Sequence, residues 1–258
     1  MRQNLPNFRN IFVLYHATTP EFEKGYDLVH ERFPEFDTII YPQSNFQFDT
    51  MDFIKRAGDY VCFFVDDNII YRKCELDYNL VDSIFEAVPE LTCFTLRLGK
   101  NVTIQDQYNN VSSNFPENIM IGNFNGTNIL LWSWKSITSW GIFNYSFSVD
   151  GHIYKTKDLI PLIDYEFDNP NGFEGRFKQY TFPTCAMACF EQSVLVNTPI
   201  NIVGSSNNNS GWWHGHTLEE LNQKYLDNHQ ISLNSIMERD VFACHQEIEI
   251  EFEKGESK

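Results

Sequence analysis

FFVDDNIIYR, residues 63–72, is the stretch on which the fold of this chain turns. An apolar run, VCFFV at 61–65, ends abruptly in Asp66, Asp67 and Asn68. Such a run predicts a buried central strand. Two carboxylates and an amide at the carboxyl end of a strand lie where open α/β sheets bind ligands. Adjacent acids repel one another and resist desolvation, so a counter-charge is expected beside them. A divalent cation bridging a diphosphate would supply it, because hard cations take oxygen ligands. The competing reading is an Asp-rich turn, since Asp and Asn are common turn residues.

Outward from this stretch the pattern is β-α-β-α-β. Residues 10–15 (NIFVLY) predict a first strand, 21–32 an amphipathic helix stopped by Pro34, and 37–41 (DTIIY) a second strand. Residues 49–57 suit a helix with Asp49 as its cap and Gly58 as its stop. This order argues for a mostly parallel sheet with helices on its faces. A helix at 75–87 and a strand at 91–98 (LTCFTLRL) follow, then a polar, Asn-rich segment at 100–128 that reads as a long loop. Residues 129–149 are aromatic, with Trp132, Trp134 and Trp140, and divide between strand and cleft wall or core. Further on, 151–163 predicts a strand entering a helix, and 173–180 a short helix with Glu174 in its first turn. Residues 184–191 read as helical and 194–203 as extended. Thr217 and Glu220 form a capping box for a helix at 218–227. EIEIEFE, 247–253, alternates strictly and predicts an edge strand, with an acidic tail as the alternative.

Length and composition narrow the function classes. At 258 residues and 42% hydrophobic content the chain can build one large core, so a single domain is expected. No stretch approaches the roughly 20 apolar residues of a membrane span. The apolar run at 11–15 is too short for a secretory signal, so a cytoplasmic protein is expected. The net charge of −16 argues against a nucleic acid polymer as partner, because phosphate binding wants a basic surface. Six cysteines without a CxxC pair fit reduced thiols better than zinc ligands. Five N-x-S/T sequons (Asn101, Asn110, Asn125, Asn144 and Asn208) read as by-products of an Asn-rich composition.

Taken in order, FIKRAGDYVCFFVDDNII, FTLRLG, FSVDGHIYKTKDLI, NPNGFEGRF, a His-containing loop and EELNQKYL resemble a GT-A glycosyltransferase. The similarity is greatest to bacterial or viral relatives of the large inverting family-two group. It implies a GT-A-like, Rossmann-like, mostly parallel mixed sheet flanked by helices. Residues 1–100 would form the nucleotide-sugar-binding half and 129–246 the acceptor-binding half, with 247–258 as the acidic strand or tail. The activity implied is transfer of a sugar from a nucleotide-diphosphate donor to a saccharide or other hydroxyl acceptor, with Mn2+ or Mg2+ as cofactor.

The resemblance also distributes roles. Donor binding falls to His16, Ala17 and Thr18 after the first strand, to Asp66 and Asp67, and to Arg97. A lone cation in an apolar strand needs compensation, either by an acid such as Asp67 or by donor phosphate. Metal binding falls to Asp67, Asn68 and one of His214 or His216. Asn68 stands where a second metal-binding Asp is usual, which implies a weak site. Two acids compete for the general base, Glu174 after the NPNG turn and Asp150 in SVDGH, with Glu174 preferred. Trp140, Asp150, His152 and Trp213 are expected on the acceptor side, and loop 205–216 as a lid. Two other functions fit less well. A sugar-nucleotide pyrophosphorylase wants a Gly-rich basic loop after the first strand, and LYHATTPEFEKG is neither. A carbohydrate- or nucleotide-sugar-binding protein that has lost transfer is the other.

Overall fold

A computed structural model of the chain describes residues 11–33, 38–106, 115–139, 141–198, 216–237 and 239–255. It begins with β1 (Ile11–Tyr15), α1 (Pro20–Arg32) and β2 (Thr38–Pro42), a βαβ unit whose two strands pair in parallel. Thr19 caps α1 by accepting from the Phe22 N–H, and Pro20 follows at the first helical position. The next helix, α2 (Phe46–Arg56), starts three residues before the predicted cap. Asn45 is its cap, accepting from the Phe48 N–H at 2.9 Å, while Asp49 reaches back to the Ser44 and Asn45 N–H groups. Gly58 at φ +85° ends this segment in the left-handed region, as expected of a stop residue.

The apolar run at 61–65 yields only a short strand, β3 (Tyr60–Cys62). After it come β4 (Asn68–Ile70), α3 (Tyr78–Ala87), β5 (Leu91–Thr95), β6 (Ile104–Asp106), β7 (Met120–Phe124) and β8 (Thr127–Ser133). Then follow β9 (His152–Lys155), α4 (Thr156–Leu159), α5 (Pro170–Gly175), β10 (Ala186–Phe190) and β11 (Leu195–Asn197). The chain closes with α6 (Leu218–Leu226), β12 (His229–Ile231), α7 (Leu233–Met237), β13 (Ala243–His245) and β14 (Phe252–Lys254). The segment read as a long loop therefore contains β6, β7 and the turn into β8, formed by Asn125 and Gly126, both at positive φ.

A six-stranded sheet of order β3-β9-β5-β10-β8-β7 forms the centre. It is mixed and mainly antiparallel: only β5 and β10 run parallel. That corrects the expectation of a mostly parallel sheet. It also places β3 at an edge and not at the centre. Both faces of the sheet are covered. Cys93, Leu130, Trp132, Tyr154, Met187 and Cys189 project into one core, and Leu91, Phe94, Ile129, Leu131, Ile153, Ala188 and Phe190 into the other. Burial on both faces explains why 184–191 is a strand although it reads as helical: a strand with two cores loses its alternation. Trp132 and Trp134 are core residues, their indole N–H groups donating to the Phe143 carbonyl and the Thr92 hydroxyl. All six cysteines are free thiols.

A second, four-stranded sheet has the order β4-β11-β13-β6. The chain crosses from the six-stranded sheet to this one three times, at β3–β4, β5–β6 and β10–β11. Residues 1–100 and 129–246 thus interleave in the six-stranded sheet and meet again in the four-stranded one, where β4 pairs with β11. The alternating tail follows its pattern from Ile248 to Glu251, with Ile248 and Ile250 buried and Glu249 and Glu251 exposed, but Glu247 is buried too and only Phe252–Lys254 pairs, with β12. The Thr217–Glu220 capping box of α6 forms as read, with both reciprocal bonds at 3.1 Å. Among the described residues no helix is long and apolar enough to cross a membrane.

Where two of these crossings meet, backbones approach closely. A Cβ on Gly99 would stand 2.3 Å from the Ser193 nitrogen and 2.7 Å from the Gln192 carbonyl carbon. Backbone cannot swing aside as a side chain can. Gly99→Ala is therefore expected to destabilise by about 1–3 kcal/mol, the usual cost of overpacking. A urea melt with an unchanged midpoint would show that the crossing is looser than described.

Candidate functional site

The acidic triplet lies at the first crossing between the sheets. Cys62 ends β3, and the Phe63 carbonyl still accepts from the Gly151 N–H at 2.8 Å. A turn then closes from Val65 to Asn68. The Asn68 N–H donates to the Val65 carbonyl at 3.1 Å, and the Val65 N–H donates to Asn68 Oδ1 at 3.0 Å. Asp66 and Asp67 form the tip of that turn, so the turn reading and the site reading hold together. Asn68 is spent on structure: its Oδ1 closes the turn and its Nδ2 donates to Asp150 Oδ1 at 3.1 Å. Both ends of the amide expected at the metal are thus already bonded within the protein.

Arg97 comes from the second crossing and Asp150 from the loop entering β9. They form an ion pair at 2.8 Å, with only 4% and 5% of each residue exposed. The compensation expected for Arg97 is therefore Asp150, 53 residues away, and not Asp67. Burial works against the Arg97 charge, but Cys244, then Asp150 and Glu174, together outweigh it and hold the guanidinium above its ordinary range. The Asp150 N–H is taken by Ser148 Oγ at 3.1 Å. Asp150 is thus held on both oxygens, by Arg97 and by Asn68.

Glu174 is brought to the same place by α5. This helix begins at Pro170 behind an Asn169 cap, so Glu174 sits in its last turn and not its first. Phe173 beside it packs on Phe147 and Phe63. Glu174 Oε1 accepts from the Val149 N–H at 3.2 Å. Burial first, and the nearby Asp150 charge second, push its carboxyl up, with Arg97 opposing. Tyr145 completes this side, its ring centroid 6.0 Å from the Arg97 guanidinium. Its hydroxyl is raised by burial and then by Glu174.

Asp67 faces the four-stranded sheet. Its Oδ1 accepts from Asn197 Nδ2 at 2.8 Å, and its carbonyl from the Thr198 N–H at 2.9 Å. Burial first, then Asp150 and Asp66, push its carboxyl up to about 7. Asp66 is exposed and lies near α1, where its charge, after burial, raises the Tyr26 hydroxyl. Tyr26 stacks on Tyr15 at 3.9 Å. The loop between β1 and α1 carries His16 and Thr18, both exposed, and Ala17. The α1 residue Tyr26 thus lies on the Asp66 side of the triplet.

The remaining expectations divide. His152 is wholly buried at the start of β9, its Nδ1 3.4 Å from the Asp150 carbonyl. Burial and then Arg97 hold it well below its ordinary pKa, and it presents no surface to an acceptor. His216 is engaged beside α6, its Nδ1 3.9 Å from Glu220 and its ring edge-on to Phe252. Trp140, Trp213 and His214, and with them the expected lid, lie outside the described residues. Asn197 and His245 were not anticipated. Asn197 ends the apolar run SVLV much as the triplet ends VCFFV, a likeness that does not by itself bring the two together.

Among the described residues no three His, Cys, Asp or Glu side chains form a metal cage by themselves. The oxygen donors that the acidic turn offers are the carboxylates of Asp66, exposed, and Asp67, half-buried, and hard cations take oxygen ligands. Compared with family models, characterised proteins and solved structures, the chain matches none.

Proposed function

We propose that the chain is a glycosyltransferase that moves a sugar from a nucleotide-diphosphate donor to a hydroxyl acceptor. The observation that carries this reading is the meeting, at one seam, of a turn bearing two acids with a buried carboxyl of raised proton affinity, Glu174, across the Arg97–Asp150 pair. The two ends of the seam suit the two halves of a displacement. At one end Asp66 and Asp67 would hold Mn2+ or Mg2+, which supplies charge neutralisation to a diphosphate leaving group. At the other, Glu174 accepts the acceptor hydroxyl's proton as that oxygen bonds to the anomeric carbon and the bond to the diphosphate breaks. Arg97 and Asp150 hold the ends in register. His16, Ala17 and Thr18, with Tyr26, form the nucleoside side.

The ionisation of Asp67 supports a cation beside it. Its folded-state pKa lies above the ordinary value, so the native state binds the proton more tightly than the unfolded chain. Stability is then lost as pH rises from about 4 through about 7, and a bound cation offsets that loss. The test is a thermal-shift screen of nucleotide sugars with and without Mn2+, coupled to release of nucleoside diphosphate. The unchanged chain is expected to be stabilised by at least one donor in a Mn2+-dependent way and to release diphosphate slowly without acceptor. Asp67→Asn keeps the Asn197 contact and removes the charge. It is expected to abolish the Mn2+-dependent shift while melting, without ligand, at or above the parent temperature. An Asp67→Asn protein that retains the shift would sink the assignment. Binding with no release, with acceptors supplied, would favour a nucleotide-sugar-binding protein, a reading for which the loss of Asn68 to structure already speaks.

A further inference from the structure

Strand register lines up a polar row across the four-stranded sheet. Asn68 in β4 stands opposite Asn197 in β11, and Asn197 opposite His245 in β13. Three polar side chains on one rung of a buried sheet need mutual hydrogen bonds. Asn197 supplies them. Its Nδ2 donates to Asp67 Oδ1 at 2.8 Å and lies 3.5 Å from Asp150 Oδ1, while its Oδ1 faces His245 Nδ1 at 3.2 Å. An ionised Asp67 only accepts, which suits the amide nitrogen facing it and leaves the amide oxygen to accept from His245 in the tautomer that carries its hydrogen on Nδ1. The backbone locks the same residue: its carbonyl accepts from the Gln246 N–H, and the next N–H, on Thr198, donates to the Asp67 carbonyl. Asn197 is itself buried.

We propose that Asn197 is a positioning residue that aims the Asp67 carboxylate at the ligand side of the acidic turn. It acts through Asp67 and touches no ligand. An amide suits the place because its two hydrogens can serve two carboxylates, Asp67 and Asp150, whose charges repel. An acid there would add a third negative charge, and a shorter residue would leave Asp67 unheld. The chain Asp67–Asn197–His245 runs from the turn before β4 through β11 to β13, so a shift of Asp67 disturbs the same amide that bonds His245. The inference rests on the reading of Asp66 and Asp67 as the cation side.

The probe is Mn2+ alone, with free ion followed by electron paramagnetic resonance at fixed pH, on the full chain. Asn197→Ala is expected to weaken Mn2+ binding by about 10–100-fold, the range for losing an outer partner of a ligating carboxylate, and to alter the line shape of the bound ion. Asn197→Ser keeps a short donor and a polar filler, and is the second variant should the first not fold. Its expected loss is about tenfold. Asn101→Ala is the comparator for a purely structural loss. Asn101 is another hub, bonded to the Tyr71 and Ser193 hydroxyls, the Val241 carbonyl and the Ser193 N–H. Its removal is expected to lower the melting temperature and leave Mn2+ affinity unchanged. The inference fails if the folded Asn197 variants bind Mn2+ as the parent does, or if Asn101→Ala weakens binding equally. A parent chain that does not bind Mn2+ would remove the cation reading, and the inference with it.

Discussion

Glu174→Gln is expected to bind donor as the parent does and to lose transfer by about 10²–10⁴-fold, the range for a missing general base. The amide keeps the shape of the side chain and can still accept from the Val149 N–H, 3.2 Å away in the parent. What it loses is proton affinity. In the parent that affinity is raised by burial and by the Asp150 charge, so the acid limb of the transfer rate is expected above the ordinary glutamate range. The rate rises with pH through that limb because the base must be ionised, and the limb disappears in the variant's residual rate. Stability should move the other way. A carboxyl whose folded pKa is raised costs stability once ionised, so at neutral pH Glu174→Gln is expected to melt no lower than the parent. Asp150→Asn is the contrasting variant. It deprives Arg97 of its partner and should lose stability and transfer together. Transfer that survives Glu174→Gln but fails in a folded Asp150→Asn protein would reverse the two roles.

What could be read from the sequence was what depends on neighbours along the chain. The capping box of α6 was legible because its two bonds join residues three apart, Thr217 and Glu220. The stop at Gly58 and the βαβ unit of β1, α1 and β2 were legible for the same reason. The order of strands was not. VCFFV has the composition of a central strand, yet β3 is an edge strand. Much of the apolar surface of that run serves the aromatic layer of Phe63, Phe147 and Phe173 and not a neighbouring strand. Cys185 and Cys189 share a face at a spacing of four in a helix, but residues four apart share a face in a strand as well. Only the two cores on either side of β10 decide between them.

The site was legible in its parts and not in its pairings. Asp66, Asp67, Arg97, Asp150 and Glu174 could each be singled out by type and position. Which acid neutralises Arg97 depends on a contact between residues 53 apart, set by where β9 enters the sheet. The place of Glu174 within α5 depended on recognising Asn169 and Pro170 as cap and first residue. Asn197 and His245 became site residues only through the register of β4, β11 and β13. A sequence pattern does not fix such a register when both strands are short and buried.

Arg97→Met is expected to cost about 3–5 kcal/mol, the price of leaving one member of a buried ion pair without its partner. Methionine fills much the same volume, so the loss is electrostatic and not a cavity effect. The stranded group would be Asp150, which keeps its bond from Asn68 but loses the 2.8 Å contact to the guanidinium. Asp67 and Glu174 lie close enough for Asp150 to raise the proton affinity of each, so three acids would share the seam with no buried cation between them. Against a typical total of about 5–15 kcal/mol, this change can bring the chain close to unfolding. The double variant Arg97→Met with Asp150→Asn keeps the test decisive. Removing the stranded charge should recover a large part of the loss, so the two substitutions together cost less than their sum. Arg97→Lys restores the charge without the planar fork and should fall between parent and Arg97→Met. Urea unfolding reads all four proteins. A double variant less stable than Arg97→Met alone would mean that Asp150 is held by its neighbours and not by Arg97, and the ion pair would lose its place as the centre of the seam.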